Sequence, residues 1–153
     1  MTPNPAFDMA AAHRYFAAHC FNAAWDFIEK SERSPEEDRL MVALNQASIY
    51  HWLNRPDCEP KRLSVGYWQA SRIQAMLGNA EDARNYAEVC REYSLGQHPF
   101  LLGYAHEAMA RAAKVAGDPG EVAKQLALAK EQAALVSEKE DRKLLQNDLA
   151  SLE

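Results

Sequence analysis

The chain has 153 residues, of which 48% are hydrophobic and 25% are charged, as expected for one globular domain. Its 22 acidic and 17 basic side chains give a net charge of −5. This excess of acids argues against nucleic acid or an anionic membrane surface as a partner. No apolar run approaches the roughly 20 residues of a membrane-spanning helix. The first nine residues lack the layout of a signal peptide, so we expect a cytosolic protein.

Helix-forming residues dominate the chain and no strand-like alternation occurs, which predicts a single all-α domain, residues 1–153, of about seven helices. The first helix should run from about Pro5 to Lys30. Its predicted apolar stripe consists of residues at helical spacing: Phe16, Cys20, Ala23 and Phe27, extended by Phe21, Trp25 and Ile28.

The second helix has a strong start signal. Ser34 stands at the N-cap, Pro35 at the first helical position and Glu37 at the third, which together form a capping box. This helix should end near Asn54, because the two prolines that follow oppose helical structure.

Glycine and proline residues mark the ends of the remaining helices. Gly78 and Gly117 should end the third and fifth helices, and Asp118 should cap the sixth. Ser137 with Glu140 predicts a second capping box before the final helix. Short loops make neighbouring helices antiparallel. We therefore expect helical hairpins at about 5–54, 61–93 and 99–136, and a capping helix at about 138–152.

A helix-turn-helix phrase occurs twice, with its turn glycines, Gly78 and Gly117, 39 residues apart. The first copy comprises Trp68, Ser71, Gly78, Asn79, Ala83 and Cys90. The second copy comprises His106, Ala110, Gly117, Asp118, Val122 and Ala129. A period of this size indicates stacked helical hairpins.

The two phrases resemble the tetratricopeptide repeat (TPR), which uses an aromatic residue, a Gly-Asp-type turn and small residues where helix backbones approach closely. His106 stands where that family usually has Trp, and Val122 where it has Ala. The spacing exceeds the family's 34 residues. The N-terminal hairpin fits only as a degenerate unit, since its turn near Glu32 has no glycine and Trp25 falls at a small-residue position. Its HRYFA and WDF segments also resemble uncharacterised bacterial proteins, a resemblance that implies no activity.

The resemblance implies that the first helix of each hairpin lines a concave groove. Its register assigns the following candidates to that groove: His19, Asn22, Asp26, Trp68, Arg72, Tyr104, Glu107 and Arg111, with Ala75 and Lys114 on the same faces. Arginine suits carboxylate recognition, because its planar fork donates two parallel hydrogen bonds. The leading interpretation is a non-catalytic protein- or peptide-binding module with exposed groove residues, without cofactor or metal.

His19, Asn22 and Asp26 also stand out independently of the family. Their spacing of i, i+3 and i+7 places them on one face of a largely apolar helix. This polar stripe would face Trp68 and Arg72 across the groove. The alternative is that the charges pair with each other, as Asp26 with Arg72, and only satisfy the interior.

Two other functions stay open. A small-ligand-binding, hydrolytic or metal-dependent protein would use His19, Asp26 and Arg72. A metal would require His13, His19, Asp26 and His51 to converge from two helices, and no HExxH pattern or nucleophile motif supports such chemistry. A self-associating structural protein would form a homodimer through the apolar side of the final helix. That side consists of Leu145, Leu149 and Leu152.

Overall fold

The structure is a computed structural model and describes residues 2–153. This part of the chain contains seven α-helices and no β-strand. The helices are α1 (Met9–Ile28), α2 (Pro35–Leu53), α3 (Pro60–Met76), α4 (Ala80–Ser94), α5 (Pro99–Ala116), α6 (Pro119–Leu135) and α7 (Lys139–Ala150). The predicted all-α architecture of helical hairpins is confirmed. The helices group into two units, Met1–Glu59 and Pro60–Glu153. The prediction of a single domain stays a prediction.

The first unit is the hairpin of α1 and α2. Helix α1 begins at Met9 and not near Pro5, because the Asp8 side chain accepts a hydrogen bond of 3.1 Å from the Ala11 amide and so caps the helix there. The capping box of α2 is confirmed. Ser34 Oγ accepts from the Glu37 amide at 3.2 Å, and the Glu37 carboxylate accepts from the Ser34 amide at 2.9 Å.

The buried face of α1 differs from the predicted stripe. It consists mainly of small residues at helical spacing: Ala17, Cys20, Ala24 and Ile28. Phe16 is 41% exposed, and Ala23 and Phe27 are only half-buried. Ser48 Oγ donates a hydrogen bond of 2.7 Å to the Ala17 carbonyl, so the small residues let α2 approach the backbone of α1 closely. The face of α1 that is buried against α2 is therefore the one that allows close approach of the two helix backbones, and not the one with the largest apolar side chains.

The second unit pairs its helices in sequence. Helix α3 packs on α4, α5 on α6, and α4 on α5, while α3 also contacts α5 directly. Helix α7 contacts both α5 and α6. Helices α3, α5 and α7 therefore form one layer, and α4 and α6 form the other. Packing of adjacent helix pairs in this order is compatible with a helical repeat.

The turn residues of the repeated phrase act as predicted. Gly78 has φ 80° and Gly117 has φ 72°, the left-handed conformation in which glycine meets no Cβ penalty. The Asp118 side chain accepts from the Glu121 amide at 3.0 Å and caps α6. The capping box predicted at Ser137 is wrong, because the N-cap of α7 is Glu138 and its side chain makes no capping hydrogen bond.

Small residues of the phrase mark the places where helices approach closely. Ser71 Oγ on α3 donates a hydrogen bond of 2.7 Å to the Ala83 carbonyl on α4. Ala110 and Ala129 are fully buried in the second copy. Gly103 on α5 is equally constrained, because a Cβ at that position would lie 2.6 Å from a methyl group of Leu145. Its lack of a side chain lets α7 dock against α5.

The apolar side of α7 belongs to the core of the second unit. Leu145, Leu149 and Leu152 are buried in one cluster with Tyr104 and Leu126. The apolar side of α7, through which the self-association hypothesis would form a homodimer, is therefore buried within the second unit. No helix within residues 2–153 is both long and apolar enough to cross a membrane.

Candidate binding site on α3, α5 and α7

Five of the eight predicted groove residues come together in the second unit, on the face formed by α3, α5 and α7. They are Trp68 and Arg72 from α3, and Tyr104, Glu107 and Arg111 from α5. We call this surface the α3–α5–α7 face. Their spacing of three or four residues along each helix keeps them on one side.

Glu107 is the centre of this group. Its side chain is 0% exposed. The indole Nε1–H of Trp68 donates to Glu107 Oε2 at 2.8 Å, and Arg111 Nε donates to Oε1 at 3.0 Å. A second guanidinium N–H of Arg111 donates to the same oxygen. The repeat register assigns Glu107 to the groove, and its buried position suits it to orient Trp68 and Arg111.

Tyr104 is also buried, where exposure was expected. Its ring packs edge-on against Trp68 and Phe100, with centroids 5.5 and 5.0 Å away. Its hydroxyl donates to Asp148 Oδ2 on α7 at 2.7 Å. Burial, followed by the hydrogen bond to Asp148, holds the pKa of the Tyr104 phenol well above its ordinary value. Asp148 was not predicted from the sequence, because it lies on α7 beyond both copies of the phrase.

Arg72 differs from the other charged residues of this face. Its Nε atom is buried and has no hydrogen-bond partner among the described residues. Burial, followed by the positive charge of Arg111, lowers the pKa of the Arg72 guanidinium, while Glu107 and Asp148 oppose that shift. An arginine stays protonated in proteins all the same. The face therefore holds a desolvated cation with an unused hydrogen-bond donor.

A shallow cleft of about 350 Å³ lies on the same face, and its α3 residues Ala75 and Met76 are one helical turn from Arg72. Its lining combines two basic side chains, one serine and four apolar side chains: Arg111, Lys114, Ser151, Ala75, Met76, Val115 and Leu152. Ala75 and Lys114 are residues that the repeat register had placed on the groove. The cleft can therefore accept an apolar group next to a negative charge.

The remaining candidates, His19, Asn22 and Asp26, are exposed on α1 in the first unit. The His19 ring stacks on Tyr15 at 5.1 Å, and its Nδ1 lies 3.4 Å from the Tyr15 hydroxyl. Within the hairpin, Asn22 and Asp26 are solvated side chains of one helix face, as their spacing predicts. The predicted site that combines this stripe with Arg72 stays a prediction.

Comparison of the chain with protein families, with curated proteins and with solved structures finds no match in any of the three. The class of protein defined by the helices is an all-α protein whose paired packing is compatible with a helical repeat.

Proposed function

We propose that the chain is a non-catalytic binding module of the TPR-like type, and that its α3–α5–α7 face holds a segment of a partner protein. The recognised segment is an extended peptide that carries a carboxylate. The carboxylate pairs with Arg72, and neighbouring apolar groups of the peptide occupy the cleft beside Met76. We further propose that the module acts in the cytosol on a protein partner.

The unsatisfied Nε of Arg72 is the observation that carries this proposal. A buried polar donor without an acceptor costs free energy, about 1–3 kcal/mol and more for a charged group. Glu107 does not relieve that cost, since its oxygens accept from Trp68 and Arg111. A carboxylate from a ligand supplies two acceptor oxygens that match the fork of a guanidinium. A carboxylate beside the guanidinium of Arg72 would thus offset part of the cost of burying that cation.

The shape and composition of the surroundings favour a peptide over a small molecule. A small-molecule site encloses most of its ligand, whereas this cleft is shallow and is lined by residues of α3 and α5 and by the two residues that follow α7, Ser151 and Leu152. Lys114 and Arg111 add positive charge along the face, and Met76 and Leu152 add apolar contact. Charges of one sign spread beside apolar groups suit an acidic, partly apolar peptide.

The repeat register supports the choice of this face. Trp68 and Glu107 are 39 residues apart, which is the spacing of the two turn glycines, so they occupy equivalent positions of the two copies. This spacing corrects the assignment of His106 to the position of Trp68, because His106 is only 38 residues from Trp68. Equivalent positions in adjacent first helices touch each other when hairpins stack in parallel register. In a TPR-like array, this is the arrangement that would line the binding groove.

The test is a binding screen with a synthetic array of twelve-residue peptides that contain Asp or Glu beside apolar residues, probed with the wild-type chain. Hits are then measured by fluorescence polarisation with wild type, Arg72→Ala and Arg84→Ala. Arg84 is the matched control, because it is an exposed arginine on α4, in the other layer, and pairs with Glu88. Loss of a charge-assisted pair should weaken binding at least about tenfold in Arg72→Ala only.

Two results would overturn the proposal. One is a screen in which the wild-type chain binds no acidic peptide. The other is a set of hits whose affinities are equal in Arg72→Ala and wild type. Thermal unfolding of each variant shows that a loss of binding does not come from unfolding. Partial recovery in Arg72→Lys, which restores the charge but not the fork, identifies the charge as the feature that is recognised.

A further inference from the structure

Two histidines of the first unit converge although the sequence separates them by 38 residues. His13 lies on α1 and His51 on α2, and their Nδ1 atoms are 2.8 Å apart. In the unliganded chain this distance is a hydrogen bond, in which one Nδ1–H donates to the other Nδ1. Two of the four residues that a metal site would have required therefore do meet across the hairpin.

Aromatic neighbours hold both rings in place. Phe16 stacks on the His51 ring with centroids 5.4 Å apart, and Tyr50 lies 6.0 Å from the His13 ring. The two imidazoles are themselves 5.0 Å apart, centroid to centroid. Both histidines are only half-buried, so an ion can reach them from solvent. The pair is thus ordered before any ligand arrives, which lowers the entropic cost of binding.

We propose that His13 and His51 form a two-histidine binding site for a divalent transition-metal ion, with Cu²⁺ and Ni²⁺ preferred over Zn²⁺. Two metal–nitrogen bonds of about 2.0 Å at a right angle place their nitrogens about 2.8 Å apart, as in a square-planar or octahedral site. A tetrahedral site needs about 3.3 Å between the same nitrogens. The observed Nδ1–Nδ1 distance matches the right-angled arrangement.

The tautomers of the pair permit metal binding. In the hydrogen bond between the rings, one Nδ1 carries the proton. Both Nδ1 lone pairs become available when each ring carries its proton on Nε2. Neutral imidazole is the form that ligates metals.

The site is an open one. Within residues 2–153 no group of three or more His, Cys, Asp or Glu side chains is placed to hold a metal. The remaining coordination positions are therefore filled by water or by an exogenous ligand. This is the arrangement of an exchangeable metal site and not of a closed structural one. The inference is independent of peptide binding on the α3–α5–α7 face.

The test is titration of the tag-free, metal-depleted chain with CuSO₄ and with NiSO₄, followed by calorimetry, in wild type, His13→Ala, His51→Ala and His98→Ala. His98 is the matched control, an exposed histidine that precedes α5 in the second unit. We expect one equivalent of Cu²⁺ per chain. The affinity should fall at least about tenfold in His13→Ala and His51→Ala, since even outer-shell changes at metal sites cost that much. It should be unchanged in His98→Ala.

A second measurement guards against loss of structure in the variants. The electron paramagnetic resonance spectrum of the Cu²⁺-loaded wild-type chain should show hyperfine coupling to two imidazole nitrogens. His98→Ala should give the same spectrum. Binding that persists at full affinity in a His13→Ala/His51→Ala double variant, or a wild-type spectrum without two coupled nitrogens, overturns the proposal.

Discussion

The indole of Trp68 on α3 donates a hydrogen bond of 2.8 Å to the carboxylate of Glu107 on α5. The two residues are one repeat period apart, so the bond joins equivalent positions of successive hairpins. The same carboxylate accepts from Arg111, one turn further along α5. A fully buried acid thus connects the first helices of the two repeats and orients two side chains of the candidate binding face.

Replacing Glu107 should be strongly destabilising. Glu107→Ala leaves the Trp68 indole N–H and the Arg111 guanidinium without their shared acceptor. Breaking a buried pair in this way costs about 3–5 kcal/mol, which urea unfolding followed by circular dichroism can measure. Glu88→Ala is the control, because the exposed Arg84–Glu88 pair should change stability by less than about 0.5 kcal/mol. Equal effects of the two substitutions would show that the buried network does not stabilise the unit.

The sequence predicted the number and order of the helices because their boundaries are local signals. The Ser34–Glu37 capping box, the glycine turns at 78 and 117 and the Asp118 cap depend on neighbouring residues only. The buried face of α1 was predicted only in part because it depends on a tertiary contact. Cys20 and Ile28 of the predicted stripe are buried, whereas Phe16 is 41% exposed. Helical periodicity favours the bulkier Phe16, whereas the hydrogen bond from Ser48 requires the small Ala17.

The candidate site was predicted in part for a similar reason. Counting from the turn glycines identified Trp68, Arg72 and Arg111, because positions within a repeat recur at a fixed spacing. Nothing in that spacing indicates that Glu107 is buried, since burial results from how α3 and α5 meet. The pairing of His13 with His51 depends on the relative shift of α1 and α2, for which the sequence carries no local signal.

Gly103→Ala should destabilise the second unit although alanine is the better helix former. The added Cβ would lie 2.6 Å from Leu145 Cδ2, so the fully buried Leu145 side chain would have to shift within the core. Overpacking of this kind costs about 1–3 kcal/mol and outweighs a helix-propensity gain of about 1 kcal/mol. Leu145→Ala alone should cost about 2–5 kcal/mol by leaving a cavity. In urea unfolding the double variant should lose less than the sum, and strict additivity would contradict the contact.

Arg72→Met should stabilise the chain, in contrast to the other substitutions of this face. Methionine keeps an unbranched side chain and removes a partly buried cation whose Nε has no acceptor. Apolar replacement of poorly satisfied buried charges is often stabilising, and here we expect about 1 kcal/mol. Urea unfolding of wild type and Arg72→Met measures the difference. A less stable Arg72→Met would mean that Arg72 supports the fold and is not retained at a cost for ligand binding.

Stability at alkaline pH should depend on Tyr104. In the unfolded chain a tyrosine ionises near pH 10, whereas in the folded chain burial and Asp148 hold the pKa of Tyr104 well above that value. Above about pH 10 the unfolded state therefore binds fewer protons than the folded state, and stability falls as pH rises. At pH 8 wild type should be more stable than Tyr104→Phe by about 1 kcal/mol, because the variant lacks the hydrogen bond to Asp148.

The difference in unfolding free energy between wild type and Tyr104→Phe should shrink between pH 9 and about pH 11, as measured by urea unfolding of both proteins at each pH. The difference between the two curves isolates Tyr104, because other groups titrate alike in both proteins. Among them are Tyr67, whose pKa is raised by burial, and the thiol of Cys90, where burial raises the pKa to about 11. Parallel curves would show that the Tyr104 phenol ionises equally in the folded and unfolded chains. If the curves of wild type and Tyr104→Phe instead converge as pH rises, the loss of stability at alkaline pH comes from the contact between α5 and α7, beside Arg72.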